Sequence, residues 1–200
     1  MKETTKKIFD ELFSDYNVLK NIQNEIISAY DILIGCYAGG KKTLICGNGG
    51  SAADCEHIAG ELMKGFKLKR PVPPGIMPEL QSALRSVSLV SQTGLITAVA
   101  NDIGSDYIFA QQVLGYADKG DVLIALSTSG NAQNVYNAVL TAHSLKCKTV
   151  AITGENGGRL KDICGCVIKI PASETYKVQE LTLPVYHALC AAVENEFFEE

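Results

Sequence analysis

Two hundred residues are enough for one large domain, or a domain with a helical extension, around a sizeable core. A composition 46% hydrophobic and 20% charged belongs to an ordinary globular protein, and a net charge of −4 excludes the basic footprint of a nucleic-acid binder. Seven scattered cysteines, several inside apolar runs (Cys36, Cys46, Cys190), fit buried thiols in a reducing cytosol. Cys164-Gly-Cys166 lacks the spacing of a redox or zinc motif. Met1-Lys-Glu-Thr-Thr-Lys-Lys7 begins no apolar leader, and no run approaches the ~18 apolar residues of a membrane span. The expectation is a cytoplasmic protein with neither membrane nor nucleic acid as partner.

Residues 4–39 read as helix in two pieces, broken near Ser14-Asp-Tyr-Asn17. Ile8, Phe9, Leu12 and Phe13 form one apolar stripe; Leu19, Ile22, Ile26, Ile27, Tyr30, Leu33 and Ile34 form another at helical spacing. Gly39-Gly40 ends it. With no strand before them, these stripes predict helices that pack with other subunits. Thr43-Leu44-Ile45 then reads as a strand, followed by a glycine-rich turn and a helix.

Lys64-Gly-Phe-Lys-Leu-Lys-Arg70 leads into a loop carrying Pro71, Pro73, Pro74 and Pro78. The basic run suits either a solvated face or the steering of an anionic substrate. From Ser86 strands and helices alternate. Ser86–Val90, Asp121–Leu126, Lys148–Ile152 and Cys166–Ile170 are strands; Leu95–Ala100, Tyr107–Ala117 and a segment through Val135, Val139 and Leu140 are helices. A last helix spans about 175–198. The pattern predicts an α/β protein with a five-stranded parallel sheet covered on both faces. No repeat or second-domain boundary interrupts residues 1–200, which divide into a helical extension (1–40) and an α/β core (41–200).

The chemistry concentrates in Cys46-Gly-Asn-Gly-Gly-Ser-Ala-Ala-Asp-Cys-Glu-His-Ile-Ala-Gly-Glu61. Gly47, Gly49 and Gly50 permit a sharp bend and close approach of a ligand to the backbone. Ser51 suits an N-cap, with Asp54 as its capping-box partner. The free N–H groups of such a helix start attract phosphate. His57 and Glu61 fall on one face, a metal-capable imidazole beside a carboxylate, although the pair also fits an ordinary surface i,i+4 contact. Gly47-x-Gly49-x-x-Ala52 satisfies a dinucleotide fingerprint too. The next strand, however, ends in Ser91-Gln92-Thr93, without the acid that would hold a ribose.

Ser127-Thr-Ser-Gly-Asn131 closes another strand before a helix, where ligands of open α/β sheets collect. Its hydroxyls and N–H groups make a second phosphate cradle that needs no cationic side chain.

These segments together resemble the sugar isomerase (SIS) family, and within it the phosphoheptose isomerases. The resemblance rests on Cys46-Gly-Asn-Gly-Gly-Ser-Ala-Ala, His57-x-x-x-Glu61, Ala100-Asn-Asp102 and Gly120-Asp-Val-Leu-Ile-Ala-Leu-Ser-Thr-Ser-Gly-Asn131. Thr153-Gly-x-x-Gly-Gly158, Val178-Gln-Glu180 and His187 complete it. It implies a single SIS domain, a homotetramer, and isomerisation of sedoheptulose 7-phosphate to D-glycero-D-manno-heptose 7-phosphate. By the same resemblance, Asn48, Gly49, Gly50, Ser51, Asn101, Asp102, Ser127, Thr128, Ser129 and Gln179 hold the sugar phosphate. Glu61 and His187 would be the acid/base pair, and His57, Glu61, Gln179 and His187 a zinc site. A relative that keeps the framework binds the bacterial replication initiator and lacks the two catalytic residues, both of which stand here. Ala132 replaces a serine common in the family, Tyr176 an aspartate of some members, and the Arg70–Leu84 stretch is longer. These departures bear on which sugar phosphate is used.

Gln179 and His187 are eight residues apart, roughly 12 Å along one helix. The expectation is therefore that His187 approaches a cradle formed largely by another chain.

Overall fold

The computed structural model describes residues 1–199. Helix α1 (Glu3–Asp15), a 3-10 segment (Asn17–Ile22) and α2 (Gln23–Ala38) precede the first strand. Strands β1 (Thr43–Gly47), β2 (Ser86–Ser88), β3 (Val122–Leu126), β4 (Lys148–Gly154) and β5 (Cys166–Ile170) form one parallel sheet in the order β2-β1-β3-β4-β5. Between them run α3 (Gly50–Met63), α4 (Thr93–Asp102), α5 (Ile108–Tyr116) and α6 (Gln133–Ser144), and α7 (Thr175–Phe198) closes the chain.

β1 and β3 are buried at every residue, because helices cover both faces of the sheet. Strand alternation divides their side chains between two cores. Ile45, Ile124, Ile152 and Ile168 face α1, α2, α3 and α7; Leu44, Cys46, Leu123, Ala125 and Ala151 face α5 and α6. The chain leaves β1 for β2 on one side and reaches β3 on the other. That reversal opens a crevice beyond the carboxyl ends of β1 and β3.

Two expectations are corrected. The apolar stripes of α1 and α2 find their partners inside the chain: Phe9, Leu12, Phe13, Leu19, Ile22, Ile26 and Leu33 are all buried, with α1 along α7 and α2 against α7 and β5. The 24-residue α7 supplies the face that sequence inspection could not see. The basic run is not merely solvated either. Arg70 is only 1% exposed and is paired with Glu194 of α7.

The proline-bearing stretch between α3 and β2 has neither helix nor strand, but its ends are pinned, Ser82 N–H to the Arg70 carbonyl (2.9 Å) and Leu84 N–H to that of Leu62 (2.9 Å). β2 is shorter than expected and stops at Ser88. All seven cysteines are free; six are buried and Cys164 is partly so. Burial pushes the thiols of Cys36 and Cys190 up to about 12, which makes them poor nucleophiles. Among the described residues, no helix is long and apolar enough to cross a membrane.

Candidate active site

The crevice holds both expected cradles. At the end of β1 the turn Asn48-Gly49-Gly50 leads into α3, with Gly49 at the N-cap in a φ of 57°. The cap differs from the sequence expectation. Ser51 lies inside the first turn, buried, and Asp54 bonds elsewhere. The positive φ of Gly49 strains any side chain at this entry, and a Cβ on Gly50 would displace the Gln179 amide of α7 from it. At the neighbouring end of β3 stand Ser127, Thr128 and Ser129. Asn48, Gly49, Gly50, Ser51, these three hydroxyls, Thr175 and Gln179 line a cavity of about 330 Å³. Ala132 lines it too, so the missing serine hydroxyl is missing from the cradle itself.

The second cradle is braced by backbone. Gly130 (φ 65°) and Gly158 (φ 51°) touch main chain to main chain, so the Thr153-Gly-Glu-Asn-Gly-Gly158 turn serves as a buttress for the serine loop. Gly130→Ala would place a methyl against the Gly157 carbonyl and force a positive φ on alanine. It is expected to cost more than about 2 kcal/mol, seen as a melting temperature lower by at least roughly 4–8 °C.

The acid/base candidates meet on the facing sides of α3 and α7. His57 Nε2 lies 3.3 Å from Glu61 Oε1 and 3.4 Å from His187 Nε2. Glu61 is also 3.2 Å from Lys64 Nζ, and the Phe66 ring packs beside His187 with centroids 5.4 Å apart. Behind them, the buried Tyr186 hydroxyl donates to Asp54 Oδ1 (3.1 Å) and sits 3.0 Å from His57 Nδ1. With its only proton on Asp54, Tyr186 accepts from His57 Nδ1–H, which holds the ring with Nε2 turned toward Glu61 and His187. Burial, then the Asp54 charge, pushes the Tyr186 phenol well up and keeps it protonated. Burial also raises Asp54. Burial and then the nearby His57 lower His187, so its imidazole is neutral at neutral pH.

The remaining expected residues are not gathered here. Gln179 points into the cradle, two turns of α7 away from His187. Asn101 and Asp102, at the end of α4, are exposed and bonded to each other at 2.7 Å, outside the cradle lining. Tyr176 is exposed. His187 instead borders a separate cavity of about 420 Å³ between α1 and α7. Of the acid/base cluster only His187 borders that cavity, and none of His57, Glu61 and His187 lines the cradle of the same chain.

For zinc, the two separations in the cluster match neighbouring ligands on a tetrahedral ion with bonds of about 2.0–2.1 Å, which stand roughly 3.4 Å apart. Among the described residues, however, no three His, Cys, Asp or Glu side chains are drawn together as a finished metal cage. The donors fit pairwise.

Sequence reasoning missed Tyr186 and Asp54, which orient His57. It also missed Asn134, which engages the Asn48 amide through two hydrogen bonds (2.8 and 3.0 Å) and braces the first cradle from α6. Asp54 stands three residues before His57 and so on its face, which is the one signal that could have flagged it.

The comparisons with known proteins agree with this geometry. The SIS domain pattern matches residues 14–154. A phosphoheptose isomerase from a Nitratiruptor species is 37% identical over 197 residues, covering 98% of this chain and 100% of that protein. Among solved structures, a phosphoheptose isomerase of Neisseria gonorrhoeae superposes with a TM-score of 0.79 at 31% identity, covering 96% of this chain and 98% of that one. Another, from Francisella tularensis, gives 0.79 at 28% identity, covering 97% and 100%. The twin cradles at the β1–β3 crevice, the five-stranded sheet and the matched sequence together mean that this chain belongs to the SIS domain family.

Proposed function

We propose that this protein is an aldose–ketose isomerase acting on sedoheptulose 7-phosphate and yielding D-glycero-D-manno-heptose 7-phosphate. The observation that carries the reading is the convergence of Glu61, His57 and His187, with His57 within 3.4 Å of both partners, on the helix that starts at the first phosphate cradle and the helix facing it. The similarity to phosphoheptose isomerases over nearly the full chain supports the same substrate. A catalytically idle SIS protein is the poorer reading, because both proton-transfer candidates are present in one cluster.

The chemistry moves one proton between neighbouring carbons. Glu61 takes the proton from C1 of the ketose, leaving an enediol, and returns it to C2. His187 supplies a proton to the carbonyl oxygen and removes one from the C1 hydroxyl, so the sum is neutral. A neutral imidazole facing a carboxylate suits that exchange near neutral pH. Ser127, Thr128, Ser129 and the N–H groups opening α3 would hold the phosphate. If zinc is bound, His57, Glu61 and His187 would hold it, with Gln179 as the fourth donor the resemblance implies. Its contribution would be to polarise the carbonyl oxygen.

The working form is proposed to be a homotetramer in which the acid/base cluster of one chain faces the cradle of another. The absence of His57, Glu61 and His187 from the lining of their own chain's cradle supports this; the α1 and α2 stripes, being internally packed, no longer do. Free and mostly buried thiols suit a reducing cytoplasm, and a net charge of −4 lacks the basic footprint of a nucleic-acid binder.

Ala132 in the cradle lining favours a second reading, an isomerase of another ketose phosphate. A panel of ketose phosphates followed by NMR in D₂O, with metal-analysed protein, separates the two. Sedoheptulose 7-phosphate should turn over fastest, with deuterium entering C2 of the aldose; faster turnover of a different ketose phosphate overturns the substrate assignment. Ser129→Ala should raise KM for the phosphorylated sugar by several-fold, with kcat nearly unchanged, since it removes one phosphate contact. An unchanged KM takes Ser129 out of the cradle.

A further inference from the structure

Helix α3 ends two residues after Glu61 without a conventional stop. Its C-cap, Lys64, is extended (φ −137°, ψ 173°), with no capping backbone bond behind it. The last carbonyls of a helix need donors from elsewhere. Here Arg70 provides them: Nη1 donates to the Leu62 carbonyl at 2.6 Å and Nη2 to the Glu61 carbonyl at 2.9 Å. Its Nε donates to Glu194 Oε1 at 2.8 Å. The Glu194 carboxylate in turn accepts the backbone N–H groups of Phe66 (2.7 Å), Lys67 (2.7 Å) and Leu68 (3.1 Å). Both side chains of this pair are 0% exposed.

Desolvating two charges is an inefficient way to add stability; apolar replacements of such pairs are often neutral or better. What the pair does supply is geometry. The planar guanidinium fork fixes three acceptors at once, which a flexible ammonium cannot do. One acceptor is the backbone of Glu61 itself. On the other side, Glu194 stands seven residues after His187 on α7, two helical turns along one face. The segment bound to its carboxylate carries Phe66, whose ring packs on His187.

We propose that the buried Arg70–Glu194 pair is a positioning element for proton transfer, holding the Glu61 end of α3 in register with α7 and seating Phe66 on His187. The pair touches no substrate; it acts through Glu61 and His187. The inference rests on the reading of those two residues as the proton-transfer pair. Proton transfer is sensitive to small displacements, and about 1 Å can cost on the order of 10²-fold in rate. The phosphate cradle lies at the opposite end of α3 and should not notice the change.

The test uses the full-length protein, sedoheptulose 7-phosphate as substrate and inorganic phosphate as a competitive probe of the cradle. Glu61→Gln serves as the reference variant. The double variant Arg70→Gln with Glu194→Gln removes both charges while keeping a donor for the α3 carbonyls and an acceptor for the backbone N–H groups of 66–68, and should fold. Its kcat should fall at least ~10-fold, with KM and the phosphate inhibition constant within about twofold of wild type. Arg70→Lys, which keeps the charge opposite Glu194 but loses the fork, should recover part of that loss. A folded double variant, or a folded Arg70→Lys, with wild-type kcat overturns the proposal. So does a parallel rise in KM and the phosphate inhibition constant, which would mean general loosening, or unfolding of both variants, which would make the pair a folding element alone. Full activity in Glu61→Gln would instead overturn the underlying site reading.

Discussion

Glu61→Gln should lower turnover of sedoheptulose 7-phosphate by at least ~10²-fold, the loss typical of a removed acid/base group. The replacement keeps the size and planarity of the side chain. Its contact with Lys64 is an exposed one of little energetic value, so the melting temperature should stay close to wild type. Phosphate binding should also persist, because the cradle uses the other end of α3 and the serine loop of β3. Exchange of the C1 proton with D₂O should stop together with turnover. A folded variant that isomerises at near wild-type rate would remove Glu61 from the mechanism. Loss of phosphate binding with activity would shift its role to structure.

The second large effect concerns subunits. The cluster of His57, Glu61 and His187 comes from one chain, and none of the three lines that chain's cradle. Mixing Glu61→Gln with His187→Ala chains should therefore leave the protein inactive, since every cluster carries one lesion. Mixing Glu61→Gln with Ser129→Asp, which puts a negative charge in the cradle, should behave differently. If clusters face cradles of neighbouring chains, random exchange leaves about a quarter of the sites with neither lesion. Activity should reappear from two nearly dead parents, measured by the same NMR assay after subunit exchange. Exchange confirmed by mass spectrometry without recovery would mean that each chain completes its own site. Rescue by the first mixture would mean that the cluster itself is shared.

The sequence by itself determined whatever depends on neighbours along the chain. The short apolar runs 122–126 and 150–152, bounded by turn residues, marked strands covered on both faces. Glycines after Cys46 marked a turn that the chain enters at a φ of 57°, where a side chain is strained. The four-residue spacing of His57 and Glu61 placed them on one face before any fold was known. Their identity as a functional pair was not legible locally, because the same spacing serves surface contacts throughout helical proteins.

Only the tertiary structure decided the partners that come from afar. His187 reaches His57 across 130 positions, and Arg70 reaches Glu194 across 124. Read as sequence, Arg70 is the last charge of a basic run; folded, it is the fork that ends α3. Tyr186 looks like one more apolar residue of α7 until its hydroxyl is found between Asp54 and His57. The stripes of α1 and α2 seemed unpartnered because the face that buries them lies at the far end of the chain. In each case the deciding quantity is an orientation between helices. Periodicity tells which side of a helix is apolar, but packing of α7 against α1, α2 and α3 sets which polar groups on those sides meet.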